Sequence, residues 1–271
     1  MKKAILLLLL FVFAGVLRAA VVDTITVHAA KMNEEVKVVV VMPSLEGRKM
    51  FPVLYLLHGY KGNETTWSRM SDLPELADQY GMIIVCPDGK NSWYWDSPRR
   101  KDSQYETFLS RELVNYVDNH YPTIASREGR AVTGFSMGGH GALWNAIRHP
   151  EVFGAAGSMS GGVDIRPFPN EWEMKKQLGE RDLNPLMWDA YTVINQIDRL
   201  RDGELALAFE CGVDDFFYSV NNTLHEALLA RKIPHDYTVR PGKHDGSYWQ
   251  NAIYYQMLFF QRYFEKALQK R

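Results

Sequence analysis

Ser136 stands between two glycines in Gly134-Phe135-Ser136-Met137-Gly138, inside the stretch VTGFSMGGHGA. A serine framed this way, at a sharp turn from a strand into a helix, is held exposed and strained, ready for nucleophilic attack. The same glycines could serve packing alone, or could cradle a phosphate. The phosphate-binding spacings G-x-x-x-x-G-K-[ST] and G-x-G-x-x-G are absent here, which removes the cradle. A motif this short occurs by chance, so its partners must decide.

A serine hydroxyl is a weak nucleophile near neutral pH and needs an adjacent base. Of eight histidines, His28 and His235 fall in strand patterns. His120, His149 and His225 fall in or at the ends of helices. His140 follows Ser136 closely but lies one turn into the helix, pointing away from the hydroxyl. His244 differs: it sits in RPGKHDGSYW, between the last strand and the last helix. Where a serine elbow carries acyl transfer, the chain order is serine, acid, histidine, with the histidine in such a loop.

The base needs a carboxylate to fix its tautomer and stabilise the imidazolium. FECGVDDFF supplies Asp214 and Asp215 just past a strand. Asp215 is the expected acid, with Asp214 as a turn or cap residue; Asp164, after the preceding strand, is a third candidate. Two backbone N–H groups must also face the developing oxyanion. Met137 follows the nucleophile and supplies one. The loop His58-Gly59-Tyr60-Lys61-Gly62 supplies the other, from Tyr60, with His58 shaping the loop.

These residues need a scaffold, and the surrounding chain alternates between strand and helix patterns. VVDTITVHAA and NEEVKVVVVMP read as an antiparallel hairpin. FPVLYLLHG and MIIVCPDG are continuous apolar runs, as strands buried on both faces require. SDLPELADQYG reads as a helix capped by Ser71 and stopped by Gly81. Strands GRAVTGF, AAGSMSG, ELALAFECG and HDYTVRPG follow, interleaved with helices at 105–121, 137–149, 216–231 and 248–269. Residues 164–200, with Pro167, Pro169, Trp172, Pro185 and Trp188, form a helical insertion. The pattern predicts one α/β domain over residues 21–271, with about eight mostly parallel strands flanked by helices.

The first twenty residues, MKKAILLLLLFVFAGVLRAA, read as a secretory signal peptide. Lys2 and Lys3 precede an apolar run that is short for a membrane span and ends at Arg18. The expected mature protein is secreted or periplasmic, through a bacterial Sec-type signal, with no stable membrane anchor. Cleavage removes three positive charges and takes the net charge from −1 to −4. That charge offers no electrostatic footprint for nucleic acid. Cys86 and Cys211 are expected to be buried free thiols, and no metal site is expected.

YLLHGYKGNETTW, GFSMGGHGALWNA, SMSGG, CGVDDFF and PGKHDGSYW together resemble the esterase D group of α/β-hydrolases. That group contains feruloyl and acetyl-xylan carbohydrate esterases, tributyrin esterases, S-formylglutathione hydrolases and mycolyltransferases. The resemblance implies an α/β-hydrolase fold, a triad of Ser136, Asp215 and His244, and an oxyanion hole at Tyr60 and Met137. It implies no metal and no organic cofactor. An exported chain sits poorly with a cytosolic S-formylglutathione hydrolase. The mycolyltransferases carry an aspartate before the oxyanion glycine, where this chain has His58. Aromatic residues on the expected carboxyl-end loops, among them Trp93, Trp95, Trp172, Trp188 and Trp249, could stack on a sugar or feruloyl ring. With His58, Trp93, Trp95, Trp188 and Trp249 are the candidate substrate contacts. The expected partner is an ester, carbohydrate-linked by analogy with the group. An acyltransferase using a sugar or lipid alcohol, and a non-catalytic carbohydrate-binding protein on the same fold, are the alternatives.

Overall fold

The computed structural model describes residues 20–44 and 47–269, so the expected signal peptide lies outside the described residues except for Ala20. Eight strands form one sheet: β1 (Val21–Ala29), β2 (Glu34–Met42), β3 (Val53–Leu57), β4 (Ile83–Pro87), β5 (Arg130–Gly134), β6 (Ala155–Met159), β7 (Ala206–Gly212) and β8 (Asp236–Arg240). Their order is β1-β2-β4-β3-β5-β6-β7-β8. β2 runs antiparallel to both β1 and β4, and every pairing from β4 to β8 is parallel.

Every residue of β3, β4, β5 and β6 is buried, which is why β3 and β4 read as unbroken apolar runs. The pleat sends alternate side chains to opposite faces. Val53, Tyr55 and Leu57 join one core with Trp95 and Trp144, while Leu54 and Leu56 join the other with Met257 and Phe260. The second core lies under the C-terminal helix Gly246–Leu268, whose start is capped by Asp245 accepting from the Tyr248 N–H at 3.1 Å.

Local signals shifted by a residue in places. The Leu73–Tyr80 helix is capped by Asp72, not Ser71, because the Asp72 carboxylate accepts from the Glu75 N–H at 3.1 Å. The Ser71 N–H is taken by Trp67 O, closing the short helix before it. Gly81 ends the Leu73–Tyr80 helix at φ 63°, a left-handed conformation that glycine adopts freely. The amphipathic segment 105–120 contains a π-helical stretch, Phe108–Leu113. Residues 164–200 fold into short helical pieces, including Met174–Leu178 and Pro185–Ala190.

After β3 the chain crosses to β4 on one side, then returns to build β5 on the other. Such a reversal opens a crevice at the carboxyl ends of the two central strands. The loop after β3 and the turn after β5 meet there.

Candidate active site

Ser136 joins β5 to the helix Met137–Arg148 with φ 55° and ψ −118°, far from the regions a side chain prefers. Backbone bonds hold this strained turn: Ser136 N–H donates to Met159 O at 2.9 Å, and Gly138 N–H to Phe135 O at 2.8 Å. The turn also presses on its neighbour. A Cβ at Gly134 would come within 2.5 Å of Leu57 O, and one at Gly138 would overlap that same carbonyl. The glycines of the motif therefore allow β5, the helix and the end of β3 to touch backbone to backbone.

His244 Nε2 lies 2.8 Å from Ser136 Oγ, and His244 Nδ1 lies 2.8 Å from Asp215 Oδ2. The three side chains come from positions 108 and 29 residues apart. The geometry has the Ser136 hydroxyl donating to a neutral Nε2, with Nδ1–H donating to the carboxylate. The Asp215 side chain is fully buried, and its other oxygen accepts from the Phe217 N–H at 2.8 Å. Asp214 faces solvent, while its N–H donates to Gly242 O at 2.9 Å. Asp164 is paired with Arg166 at 2.7 Å and has no contact with His244.

The loop after β3 is rigidly braced. Tyr94 Oη accepts from the His58 N–H at 3.0 Å and lies 3.2 Å from His58 O, while Trp67 Nε1 donates to Leu57 O. His58 is 1% exposed; its Nδ1–H donates to Gly59 O, and its Nε2 accepts from the Gly89 N–H. His58 therefore shapes the loop and does not offer itself to substrate. The Tyr60 and Met137 N–H groups, at the two segments that meet beside Ser136, have no acceptor among the described residues.

With His58, three of the expected substrate tryptophans are corrected, so four of the five candidate contacts lie away from substrate. Trp93, Trp95 and Trp188 are at most 1% exposed and pack the core. Trp93 and Trp95 stack at 5.5 Å, Trp93 Nε1 donates to Trp172 O, and Trp188 Nε1 donates to Gly179 O. They bind the 164–200 insertion to the sheet layer. Trp249 stays by the site: its ring stacks on Phe135 at 4.2 Å and meets His244 edge-on at 4.9 Å.

Phe216, which no sequence motif marks, is 48% exposed with its ring 4.2 Å from that of His244. Its ring also stacks on the half-buried Trp172 at 5.6 Å and meets Phe217 edge-on at 4.7 Å. The signal available was the pair Phe216-Phe217 directly after Asp215. Phe217 is buried, so the adjacent side chain is turned outward. His140 is buried and fixed: Nδ1–H donates to Gly162 O, and Nε2 accepts from Trp95 Nε1. Burial pushes its imidazole down to about 4, so it stays neutral near pH 7. Cys86 and Cys211 are buried and unpaired, and burial pushes both thiols up.

A family model described as a putative esterase matches residues 29–260. An acetyl esterase of Caldicellulosiruptor saccharolyticus is 28% identical over 214 residues, covering 74% of this chain and 79% of that protein. An S-formylglutathione hydrolase of Bos taurus is 25% identical over 252 residues, 83% of this chain and 87% of that one. Among solved structures, a ferulic acid esterase is similar with a TM-score of 0.77 and 30% identity, over 91% of this chain and 99% of its own.

Proposed function

Since the chain belongs to the esterase family, an α/β-hydrolase fold of carboxylic ester hydrolases, we propose that it works through Ser136, His244 and Asp215 on acyl esters of carbohydrates. The observation that carries the mechanism is the pair of 2.8 Å contacts linking Ser136 Oγ to His244 and His244 to Asp215.

In this mechanism Ser136 Oγ attacks the ester carbonyl carbon while its proton passes to His244 Nε2. The carbonyl oxygen becomes an oxyanion held by the Tyr60 and Met137 N–H groups. Collapse of this intermediate breaks the bond to the alcohol, which leaves with the proton from His244. An acyl-Ser136 ester remains. Water then attacks it, giving a proton to Nε2, and the second collapse returns that proton to Ser136 Oγ as the acid departs. Asp215 stays ionised and keeps Nδ1 protonated, so Nε2 is always the nitrogen that exchanges the proton.

The substrate reading rests on two supports. One is likeness to an acetyl esterase and a ferulic acid esterase. The other is the aromatic edge of Phe216, Trp172 and Trp249 beside His244, which suits a planar acyl group or a sugar face. Purified Ser136→Ala should lose hydrolysis of p-nitrophenyl acetate, and wild-type turnover by that variant would reject the mechanism. A panel of feruloylated, acetylated and plain aliphatic esters then tests the substrate class; preference for the aliphatic esters would reject it. Export to the periplasm or medium rests on residues 1–20, and finding the uncleaved N-terminus on the cytoplasmic protein would refute it.

A further inference from the structure

Below Ser136, His244 and Asp215, four polar side chains form one chain of contacts through the protein interior. Thr133 Oγ1 on β5 donates to Gln256 Oε1 at 3.0 Å. Gln256, on the C-terminal helix, donates from Nε2 to Glu210 Oε1 on β7 at 3.1 Å. Glu210 Oε2 accepts from Arg240 Nη2 on β8. Thr133, Glu210 and Gln256 are each at most 2% exposed. β6 leaves the space for this chain at Gly157, where a Cβ would overlap Gln256 Oε1.

Each strand in this chain carries one of the site residues on the loop that follows it. Thr133 is three residues before Ser136, Glu210 five before Asp215, and Arg240 four before His244. Gln256 belongs to the helix that begins two residues after His244. Arg240 extends the connection further: its guanidinium lies 4.0 Å from the Tyr255 ring centre and 5.4 Å from that of Tyr248. The Tyr248 ring in turn packs on Gly242, leaving no room for a Cβ there, two residues from His244.

Stability alone does not call for such a chain. Removing a charged pair from water costs several kcal/mol per ion, and well-packed apolar replacements are often as stable or more so. What hydrogen bonds supply and apolar contacts do not is direction. An apolar helix-on-sheet contact tolerates sliding by a fraction of an ångström, whereas a shared proton at 3.0 Å does not. We propose that Thr133, Gln256, Glu210 and Arg240 act as positioning residues that hold the His244 loop and the C-terminal helix at a fixed height against Ser136. None of them touches substrate. This inference rests on the Ser136–His244–Asp215 mechanism proposed above.

The test is the isosteric pair Thr133→Val and Thr133→Ser, with Gln256→Met as a second break in the chain. Turnover of p-nitrophenyl acetate is measured well below the melting temperature of each variant. Thr133→Val and Gln256→Met should lower kcat by about tenfold or more with KM within about twofold, since small misplacements of reacting groups act on the chemical step. Thr133→Ser, which keeps the hydroxyl, should restore kcat to within about twofold of wild type. Folded Val and Met variants with wild-type kcat would overturn the proposal, as would loss of folding in both, which would assign the chain to stability. Equal losses in the Val and Ser variants would also overturn it. Ser136→Ala separates the two levels: full activity there defeats the mechanism itself, whereas an inactive Ser136→Ala beside a fully active Thr133→Val defeats only the positioning role.

Discussion

Replacing His140 should flatten the acid limb of stability, by an amount that follows from its burial. The imidazole is fully enclosed among Trp93, Trp95 and Trp144, and burial lowers it from its ordinary 6.5 to about 4, against a smaller opposing effect of the Gly162 carbonyl. Between those values the unfolded chain holds a proton on His140 that the folded chain refuses. Stability therefore falls as pH drops from 6.5 to about 4, by about 3 kcal/mol at ~1.4 kcal/mol per pH unit. Above pH 7 the contribution is fully present; below about 4 nothing more is lost from this group. His140→Gln offers an amide donor and acceptor to the same partners, Gly162 O and Trp95 Nε1, and cannot titrate. Urea unfolding at half-unit steps from pH 7.5 to 4 should show the wild type losing about 3 kcal/mol more than the variant. Glu106 is common to both proteins and acts lower. Burial alone would raise its carboxyl, but hydrogen bonds from His149, Arg148 and Trp144 overcome that and hold it at about 2. Its share is present above pH 4.5 and is lost toward pH 2, so it cancels in the comparison. Parallel pH profiles for the two proteins would refute the assignment of this limb to His140.

Two further outcomes follow from the site. Asp215→Asn should lower kcat by about 10⁴-fold by stabilising the wrong His244 tautomer; Asp214→Asn should stay near wild type, since that side chain faces solvent. The reverse ranking by steady-state kinetics would show that the 2.8 Å contact between Asp215 and His244 does not set the tautomer. Phe216→Ala should lower kcat/KM on a feruloyl ester by about tenfold or less, the worth of one aromatic contact, and leave an acetyl ester within about twofold. Equal effects on the two esters would remove Phe216 from acyl recognition.

The parts of this molecule that sequence displays best are those governed by local rules. Burial on both faces erases the alternation of β3 and β4, so FPVLYLLHG and MIIVCPDG announce themselves. The glycines of the Gly-x-Ser-x-Gly turn are also local, since a Cβ at Gly134 or Gly138 would strike Leu57 O, but the motif gains its meaning only from Asp215 and His244 further along the chain. The choice between Asp214 and Asp215 is of another kind. It is made by a neighbouring chain: the Asp214 N–H is bound to Gly242 O, and Gly212 and Gly242 pack too closely for a side chain between them. That contact joins residues far apart in the chain, and the next side chain is thereby turned toward His244.

The tryptophans show the same limit from the other side. A tryptophan after a strand can line a cleft or anchor a covering segment, and the two differ only in what folds over it. Residues 164–200 cover Trp93 and Trp95, whose indole nitrogens find Trp172 O and His140 Nε2. No local pattern encodes that cover. The exposed ring falls instead to Phe216, because its neighbour Phe217 is already buried.

Two costly features then lie within one short stretch of the sheet. Ser136 sits at φ 55°, a strain of about 1–3 kcal/mol that persists only where its surroundings over-determine it. A few residues below it, Glu210 and Arg240 bring a charged pair into the interior. Neither is what stability alone calls for. β5 starts with Arg130, paired to Asp118 at the edge of the core, and ends in the strained serine. Strain above and a directional polar chain beneath are what a site needs when two loops and a turn must meet at 2.8 Å. Thr133→Val is therefore informative beyond its own hydrogen bond: it leaves the elbow, its glycines and its strain intact and changes only what holds His244 against them.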